Sequence, residues 1–119
     1  TDWIIFSLIN NKKINVFKDI FFSPLTFDTL SKLIEEIFNI DKVGIFNLGS
    51  KIGISKAELG FFIAKKIKKD HLLNITSSDN YLEVKRSKDM RMDTSLFEKE
   101  FNIKLPRTNE ELEKMVYFT

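Results

Sequence analysis

Residues 19–30 read Asp-Ile-Phe-Phe-Ser-Pro-Leu-Thr-Phe-Asp-Thr-Leu and contain the sharpest break in the chain between an extended and a helical pattern. Pro24 forces Ser23 into an extended or turn conformation, because the residue before a proline avoids the helical region. Before this break, residues 14–17 have the β-branched and aromatic character of a short strand. After it, apolar residues recur at helical spacing through residues 26–38, which predicts an amphipathic helix.

Further from the break, helical and extended patterns continue to alternate. Residues 2–9 predict a helix, and residues 55–69 predict the clearest helix of the chain. Ser55 and Glu58 predict a capping box, in which a hydroxyl and a carboxylate satisfy amides of the first helical turn. The other predicted elements are a buried strand at 43–48, a strand at 72–76, a short helix from Asp93 or Ser95 to Glu100 with a capping box of Ser95 and Glu98, and a last helix from Thr108 towards Val116. Asp93 and Thr108 are interpreted as helix caps, as Ser55 is.

Strands that alternate with helices favour an α/β class, and 119 residues suit a single domain. Hydrophobic residues make up 43% and charged residues 30%, which is the balance of a globular protein. The net charge of +2 is too small to predict a nucleic-acid-binding surface, and no apolar run predicts a membrane span. Cysteine is absent, which excludes disulfides and thiolate metal sites and agrees with a cytoplasmic location.

Two features predict that the chain is a piece of a longer protein. It begins with Thr1 rather than methionine, and no signal-peptide pattern follows. It also carries 12 phenylalanines for one tryptophan. We therefore expect part of its apolar surface to face another segment.

Three patterns come close to known catalytic or binding motifs. The stretch Gly44-x4-Gly49-Ser50-Lys51 resembles a phosphate loop, but its lysine is one place late, so a strand that ends in a glycine turn is the better interpretation. Tyr81 and Lys85 have the Tyr-x-x-x-Lys spacing of short-chain dehydrogenases, which requires a helix, whereas residues 81–85 alternate as a strand or edge segment does. The lysine cluster from Lys65 to Lys69 resembles a site for phosphate or RNA, but aromatic residues are not interleaved on an exposed face, so a solvated helix end is the better interpretation.

His71 is the only histidine, and it is interpreted as a surface or helix-terminal residue. No spacing of histidines and carboxylates predicts a metal site, and no G-x-G-x-x-G fingerprint occurs anywhere in the chain. The residues alone therefore indicate no catalytic centre.

Four segments resemble, in order and in register, the sugar-nucleotide-modifying short-chain dehydrogenases, most closely the dTDP-4-dehydrorhamnose reductase family. The first is the Asp-x-x-x-Ser-Pro stretch with its following Asp-x-Leu at residues 19–30. The second is Gly44-Ile-Phe-Asn47-Leu-Gly49-Ser with the helix start at 55–59. The third and fourth are Arg86-Ser-Lys-Asp-Met-Arg91-Met-Asp93-Thr and Ile-Lys-Leu-Pro at 103–106, so that the resemblance covers almost the whole chain.

The resemblance implies that residues 1–119 are a single C-terminal substrate-binding fragment. In the family, an N-terminal Rossmann domain binds NADPH or NADH and carries the catalytic Tyr-x-x-x-Lys. The parent protein is then expected to reduce the 4-keto group of a deoxyhexose nucleotide in polysaccharide precursor synthesis, while this chain alone is inactive and binds no cofactor. Family members often form homodimers, and some use a magnesium ion at that contact.

The resemblance also implies roles for individual residues. Arg86 matches an arginine of the family pattern, and a guanidinium suits bidentate capture of a diphosphate; the alternative is a surface salt bridge. Ser23 and Pro24 are expected to shape the pocket wall. Asn47 is expected at the strand end that faces the substrate, or else as the cap of a turn. Arg91 is a weaker candidate for ligand contact.

Two other functions remain open at this point. A related branch of the fold serves as the non-catalytic regulatory subunit of methionine adenosyltransferase. The chain could also be an unrelated small α/β interaction module that binds no nucleotide sugar. Ligand titration and the sequence upstream of Thr1 distinguish these alternatives.

Overall fold

This computed structural model describes residues 1–115, which form two 3₁₀-helices, at Asp70–Leu72 and Ser78–Asn80, together with five α-helices and five short strands. In chain order the α-helices and strands are α1 (Asp2–Ile9), β1 (Ile14–Phe17), β2 (Phe21–Phe22), α2 (Phe27–Ile37), β3 (Ile54–Ser55), α3 (Lys56–Lys66), β4 (Leu73–Thr76), β5 (Asp89–Met90), α4 (Ser95–Phe101) and α5 (Thr108–Lys114). The chain divides into two compact units. Among the described residues, the first unit comprises Thr1–Phe22 and Ile54–Met90, and the second comprises Ser23–Gly53 and residues 91–115.

The first unit contains all the strands named above. β1 and β4 pair in parallel, with Ile14 opposite Leu73. β2 lies between β3, to which it is antiparallel, and β5, to which it is parallel. Helix α3 packs against both β1 and β4 and against α1. The buried apolar residues of this unit are Ile4, Ile5, Leu8, Ile14, Val16, Ile20, Ala57, Leu59, Ile63, Ala64 and Leu72.

A glycine in α3 allows the helix to approach the sheet. A Cβ atom on Gly60 would lie 2.8 Å from the Cγ1 atom of Val16 in β1, well inside ordinary van der Waals contact. Glycine costs a helix interior up to about 1 kcal/mol relative to alanine. The close approach explains why the sequence carries that cost at this position.

The second unit is built from α2, α4 and α5 around a small core. Leu33, Phe97 and Leu105 are buried at its centre. Partly buried residues packed on this core are Leu25, Ile37, Phe46, Leu48, Phe101 and Ile103. The rings of Phe97 and Phe101 stack at 4.7 Å between centroids, so aromatic contacts supply much of the packing in a unit without extended sheet.

A buried carboxylate ties α5 to the start of α2 within the second unit. Glu111 is fully buried and accepts hydrogen bonds from the Thr26 backbone N–H at 2.6 Å and the Thr29 hydroxyl at 2.7 Å. Lys114 pairs with the same carboxylate at 2.8 Å. Burial by itself would raise the pKa of Glu111, but the bonds from Lys114, Thr26 and Thr29 together hold that pKa below its usual range.

Most of the predicted elements are confirmed. The α/β class is confirmed, as are α1, β1 and β4, and α2 begins after Thr26, whose hydroxyl accepts the Thr29 N–H. The capping box of α3 is present: Glu58 N–H donates to the Ser55 hydroxyl, and Ser55 N–H donates to the Glu58 carboxylate. The helix ends at Lys66 rather than at residue 69.

The predicted buried strand at 43–48 is wrong. No strand forms there, and Val43 and Ile45 are each 96% exposed. Phe46 and Leu48 do pack on the core of the second unit, so only half of the apolar run is used. Composition indicated a strand, but a strand also needs a partner, and none of the strands in residues 1–115 pairs with this segment. The predicted strand or edge at 81–85 does not form either.

The predicted caps of the two last helices need correction. The Ser95–Glu98 capping box does not form: Asp93 accepts from the Ser95 N–H and hydroxyl, while Glu98 accepts the Leu105 N–H at 3.0 Å. Thr108 is not a cap, because α5 begins after Arg107, whose N–H donates to Glu110.

The Thr108 hydroxyl instead fixes the turn before β3. It donates to the Lys51 carbonyl at 2.8 Å and accepts the Gly53 N–H at 3.0 Å. Between these two residues, Ile52 has φ of +83°, a left-handed conformation that a β-branched side chain disfavours. The predicted continuation of α5 towards Val116 lies outside the described residues. Within residues 1–115, no helix is long and apolar enough to cross a membrane.

Candidate functional site

A cavity of about 440 Å³ lies within the first unit, which is within the size range of small-molecule sites. It is bordered by α1, by the strands β1 and β2, by the start of α3 and by the segment that leads into β5. Its walls are mainly apolar and aromatic. The lining residues include Trp3, Ile4, Val16, Phe17, Ile20, Phe22, Leu59, Leu82 and Met90, with Asn15, Lys56 and Arg86 as the larger polar side chains.

Arg86 is the predicted site residue that the structure places on this cavity. Its side chain is exposed, and among residues 1–115 it forms no ion pair with a carboxylate. The alternative interpretation, a surface salt bridge, therefore finds no partner in the described part of the chain. A guanidinium with free donors beside an apolar cavity is suited to bind an anion.

Lys56 is the second cation on the cavity, and the sequence reasoning did not select it. It is the first residue of α3, and its Nζ atom lies 3.6 Å from the centroid of the Phe22 ring. Burial lowers the pKa of this ammonium. A lysine directly after the capping serine was the available signal, because cations are disfavoured at a helix N-terminus.

The segment that carries Arg86 is tethered by Asp19. The Asp19 carboxylate accepts the Ser78 N–H at 2.9 Å and the Ser77 hydroxyl at 2.8 Å, and Lys88 pairs with it at 3.2 Å. The hydrogen bond from the Ser78 backbone, aided by Ser77 and Lys88, holds the pKa of Asp19 far below its usual range. Asp19 thus fixes both ends of residues 77–88.

The other predicted site residues belong to the second unit. Ser23 is half-buried and accepts the Met92 N–H at 3.1 Å, and Pro24 is buried. Asn47 is exposed, and its amide donates to the Asp93 carbonyl at 3.2 Å, just before α4. Arg91 is exposed. The structure therefore places Arg86 in one unit and these four residues in the other, and their role in binding stays a prediction.

The glycine stretch that resembles a phosphate loop is used for packing. A Cβ atom on Gly49 would lie 2.8 Å from the Cβ of Ser23, so this glycine permits a close chain approach. Lys51 pairs with Glu98 at 3.4 Å. Residues 44–51 neither follow a strand directly nor lead directly into a helix, so they lack the strand–loop–helix context of a phosphate loop.

Tyr81 and Lys85 lie in a segment without helical structure, so they do not share a helix face as the dehydrogenase motif requires. Tyr81 instead lies with its ring centroid 6.4 Å from that of Phe17. His71 is exposed, as are Lys65 and Lys66 at the end of α3. Residues 1–115 contain no cluster of three potential metal ligands.

Comparison by sequence finds neither a matching family profile nor a matching curated protein. Comparison of the fold finds clear matches among solved structures. The dTDP-4-dehydrorhamnose reductase from Bacillus anthracis str. Ames, in complex with NADP, matches 99% of this chain with a TM-score of 0.86 and 17% identity. The dTDP-4-dehydrorhamnose reductase from Clostridium acetobutylicum ATCC 824 matches 92% with a TM-score of 0.77 and 16% identity.

A dehydratase has the same fold. The dTDP-glucose 4,6-dehydratase from Bacillus anthracis str. Ames, in complex with NAD, matches 96% of the chain with a TM-score of 0.72 and 15% identity. The chain spans only 42%, 41% and 36% of the length of these three proteins. The chain therefore has the α/β fold that forms one portion of each of these three enzymes. The resemblance to dTDP-4-dehydrorhamnose reductases seen in the sequence is confirmed at the level of the fold.

Proposed function

We propose that this chain is the substrate-binding part of an NAD(P)H-dependent reductase that acts on a 4-keto-deoxysugar nucleotide. The observation that carries the proposal is the fold match to a dTDP-4-dehydrorhamnose reductase over 99% of the chain. The four sequence segments in family order support it, and so does an arginine of the family pattern that lines a cavity without an ion-pair partner. Because the fold by itself also suits a non-catalytic regulatory protein, Arg86 on the cavity adds the support for substrate binding that the fold match alone does not give.

In this proposal the chain binds and orients the substrate, and the redox chemistry takes place elsewhere. The nicotinamide cofactor and the catalytic tyrosine belong to an N-terminal Rossmann domain of the same protein, and the protein works in the cytoplasm. Arg86 holds the diphosphate through charge-assisted hydrogen bonds. The predicted contacts of Ser23, Pro24, Asn47 and Arg91 with the substrate belong to the proposal as well.

The exposed face of α1 supports the proposal that an N-terminal domain covers this helix. Trp3, Phe6 and Ile9 recur every three residues on this helix and are each more than half exposed, while Ile4, Ile5 and Leu8 are buried. A short helix that is apolar all round is typical of one that is covered on both sides. We assign this exposed face to the N-terminal domain. Binding of a hydrophobic dye by the isolated chain is expected, with weaker binding in a Phe6→Ser variant.

The direct test of the proposal is a titration with dTDP. We expect saturable binding, and we expect Arg86→Ala to weaken it by about 1.5–3 kcal/mol, the value of a hydrogen bond to a charged group. Lys85→Ala is the matched control. Lys85 carries the same charge and is next to Arg86 in the sequence, but its side chain does not line the cavity. Absence of saturable dTDP binding by the unmodified chain would overturn the proposal.

A further inference from the structure

Lys56 lies at a position where a cation lowers the stability of the helix and forms few compensating contacts. It is the first residue of α3, where the partial positive charge of the helix dipole disfavours a cation. Its ammonium is also partly removed from water, which lowers its pKa. Among residues 1–115 no carboxylate pairs with the Lys56 ammonium, which instead forms a cation–π contact with the face of the Phe22 ring.

The cavity beside Lys56 carries charge of one sign only. Among the side chains that line it, Lys56 and Arg86 are the charged ones, and both are cations. Neither has an ion-pair partner in the described chain. Two unpaired cations that line one mostly apolar cavity favour an anionic ligand inside it, because an anion supplies the partner that both lack.

The rest of the lining indicates what the anion is attached to. Trp3, Phe17 and Phe22 present aromatic surface to the same cavity. Aromatic rings offer stacking partners for a planar base, and the cavity volume of about 440 Å³ accommodates a molecule larger than a bare phosphate. The chemistry of the lining thus fits a ligand with a planar apolar ring at one end and phosphate at the other.

We propose that Lys56 is a second anion-binding residue of this cavity, which meets the phosphoryl oxygens of a nucleotide together with Arg86 while the base lies against the aromatic wall. The inference rests on the proposed function and names a residue that the family motifs do not supply. The Phe22 ring holds the ammonium at the cavity before the ligand arrives, which reduces the side-chain entropy lost on binding.

The same helix provides a matched control. Lys65 also lies over a phenylalanine ring, with its Nζ atom 5.5 Å from the centroid of Phe61. It is exposed and does not line the cavity. Lys56→Met and Lys65→Met therefore remove the same charge from the same helix and from the same type of ring contact, and they differ in access to the cavity.

The test is a titration of the chain and these variants with dTDP, thymidine and pyrophosphate. Binding is measured by calorimetry and by the fluorescence of Trp3, the only tryptophan. We expect Lys56→Met to weaken dTDP and pyrophosphate binding about tenfold or more and to leave thymidine binding unchanged, as removal of a charge-assisted contact predicts. Lys56→Arg should restore most of the affinity, and Lys65→Met should bind as the unmodified chain does. Circular dichroism verifies that each variant is folded.

The outcomes separate the two proposals. If Lys56→Met binds dTDP and pyrophosphate as tightly as the unmodified chain, the role of Lys56 is wrong and the proposed function stands on Arg86. If pyrophosphate binding depends on Lys56 but dTDP binds no more tightly than pyrophosphate, the anion-binding role of Lys56 stands, whereas the placement of the base on the aromatic wall and the proposed function both fail. If the unmodified chain binds none of these ligands saturably, both proposals are overturned.

Discussion

Glu111 in the second unit and Lys56 in the first are both charged side chains withdrawn from water, but their surroundings differ. Glu111 is fully buried and every bond it needs is made by its own unit: a backbone N–H, a hydroxyl and an ammonium converge on its carboxylate. Lys56 has an aromatic ring beneath it and no carboxylate partner among residues 1–115. The first charge is satisfied when the chain folds, and the second is not.

The difference separates structural from functional charge. A buried charge that is fully hydrogen-bonded holds elements together, and its removal leaves its partners unsatisfied. A charge that stays unpaired beside a cavity costs the fold free energy, and such local conflicts are expected at binding sites. Stability and ligand affinity should therefore respond in opposite ways when the two residues are changed.

The largest effect is expected at Glu111. Glu111→Gln removes the ion pair with Lys114 and places an amide where Thr26 and Thr29 both donate, so the free energy of unfolding should fall by about 2–4 kcal/mol. Urea denaturation at pH 7 measures this change. Glu110→Gln is the control, because it changes an exposed carboxylate one residue earlier in the chain. This substitution should lower the free energy of unfolding by less than about 1 kcal/mol. Equal losses from the two variants would show that Glu111 does not tie α5 to α2.

Asp19 tests whether the first unit also uses satisfied charges. Its pKa is lower in the folded chain than in the unfolded chain, so its contribution to stability is complete above about pH 4 and is lost as the pH falls through the folded value. Asp19→Asn should therefore be less stable than the unmodified chain at pH 7, and this difference in stability should narrow as the pH falls from about 4 towards 2. Thermal unfolding from pH 7 to pH 2 measures this. Asp79 is an exposed carboxylate that pairs with the same Lys88. Asp79→Asn should therefore differ less in stability from the unmodified chain.

Lys56→Met should change stability in the other direction. Methionine has nearly the same helix propensity as lysine and relieves the conflict with the helix dipole, so the free energy of unfolding should rise by up to about 1 kcal/mol. Thermal unfolding without ligand checks the sign. A loss of more than 1 kcal/mol would mean that Lys56 is a structural charge like Glu111, and the contrast between them would disappear.

The smallest effect is expected in the segment that was predicted as a buried strand. Ile45 is 96% exposed, so Ile45→Thr should change stability by less than about 0.5 kcal/mol. Phe46→Ala in the next position should cost several times more, because its ring packs edge-on against Phe101 at 4.9 Å between centroids. Similar costs for both variants in urea denaturation would restore the strand interpretation.

Local signals in the sequence predicted the helices well where the chemistry is short-range. The Ser55 capping box and the helical spacing after Thr26 depend on residues three or four apart, and both are present as expected. The segment at 43–48 failed because strand formation depends on a distant partner. Thr108 was interpreted as a cap for the same local reasons, yet its hydroxyl bonds to Lys51 and Gly53 far away in sequence.

The candidate site shows the same limit. Arg86 was found through a motif, but the motif could not reveal that this side chain lacks an ion-pair partner or shares a cavity with Lys56. Lys56 was overlooked because only the fold brings the start of α3 to β2 and the segment before β5. The sequence did contain a clue, a cation directly after a helix cap, whose meaning depends on its three-dimensional surroundings.

The most direct test of the account is an NMR titration of the isotope-labelled chain with dTDP. We predict saturable chemical-shift changes at Phe22, Lys56 and Arg86, which line the cavity, and much weaker changes when thymidine replaces dTDP. Saturable binding of dTDP with no change at these three residues would contradict the account.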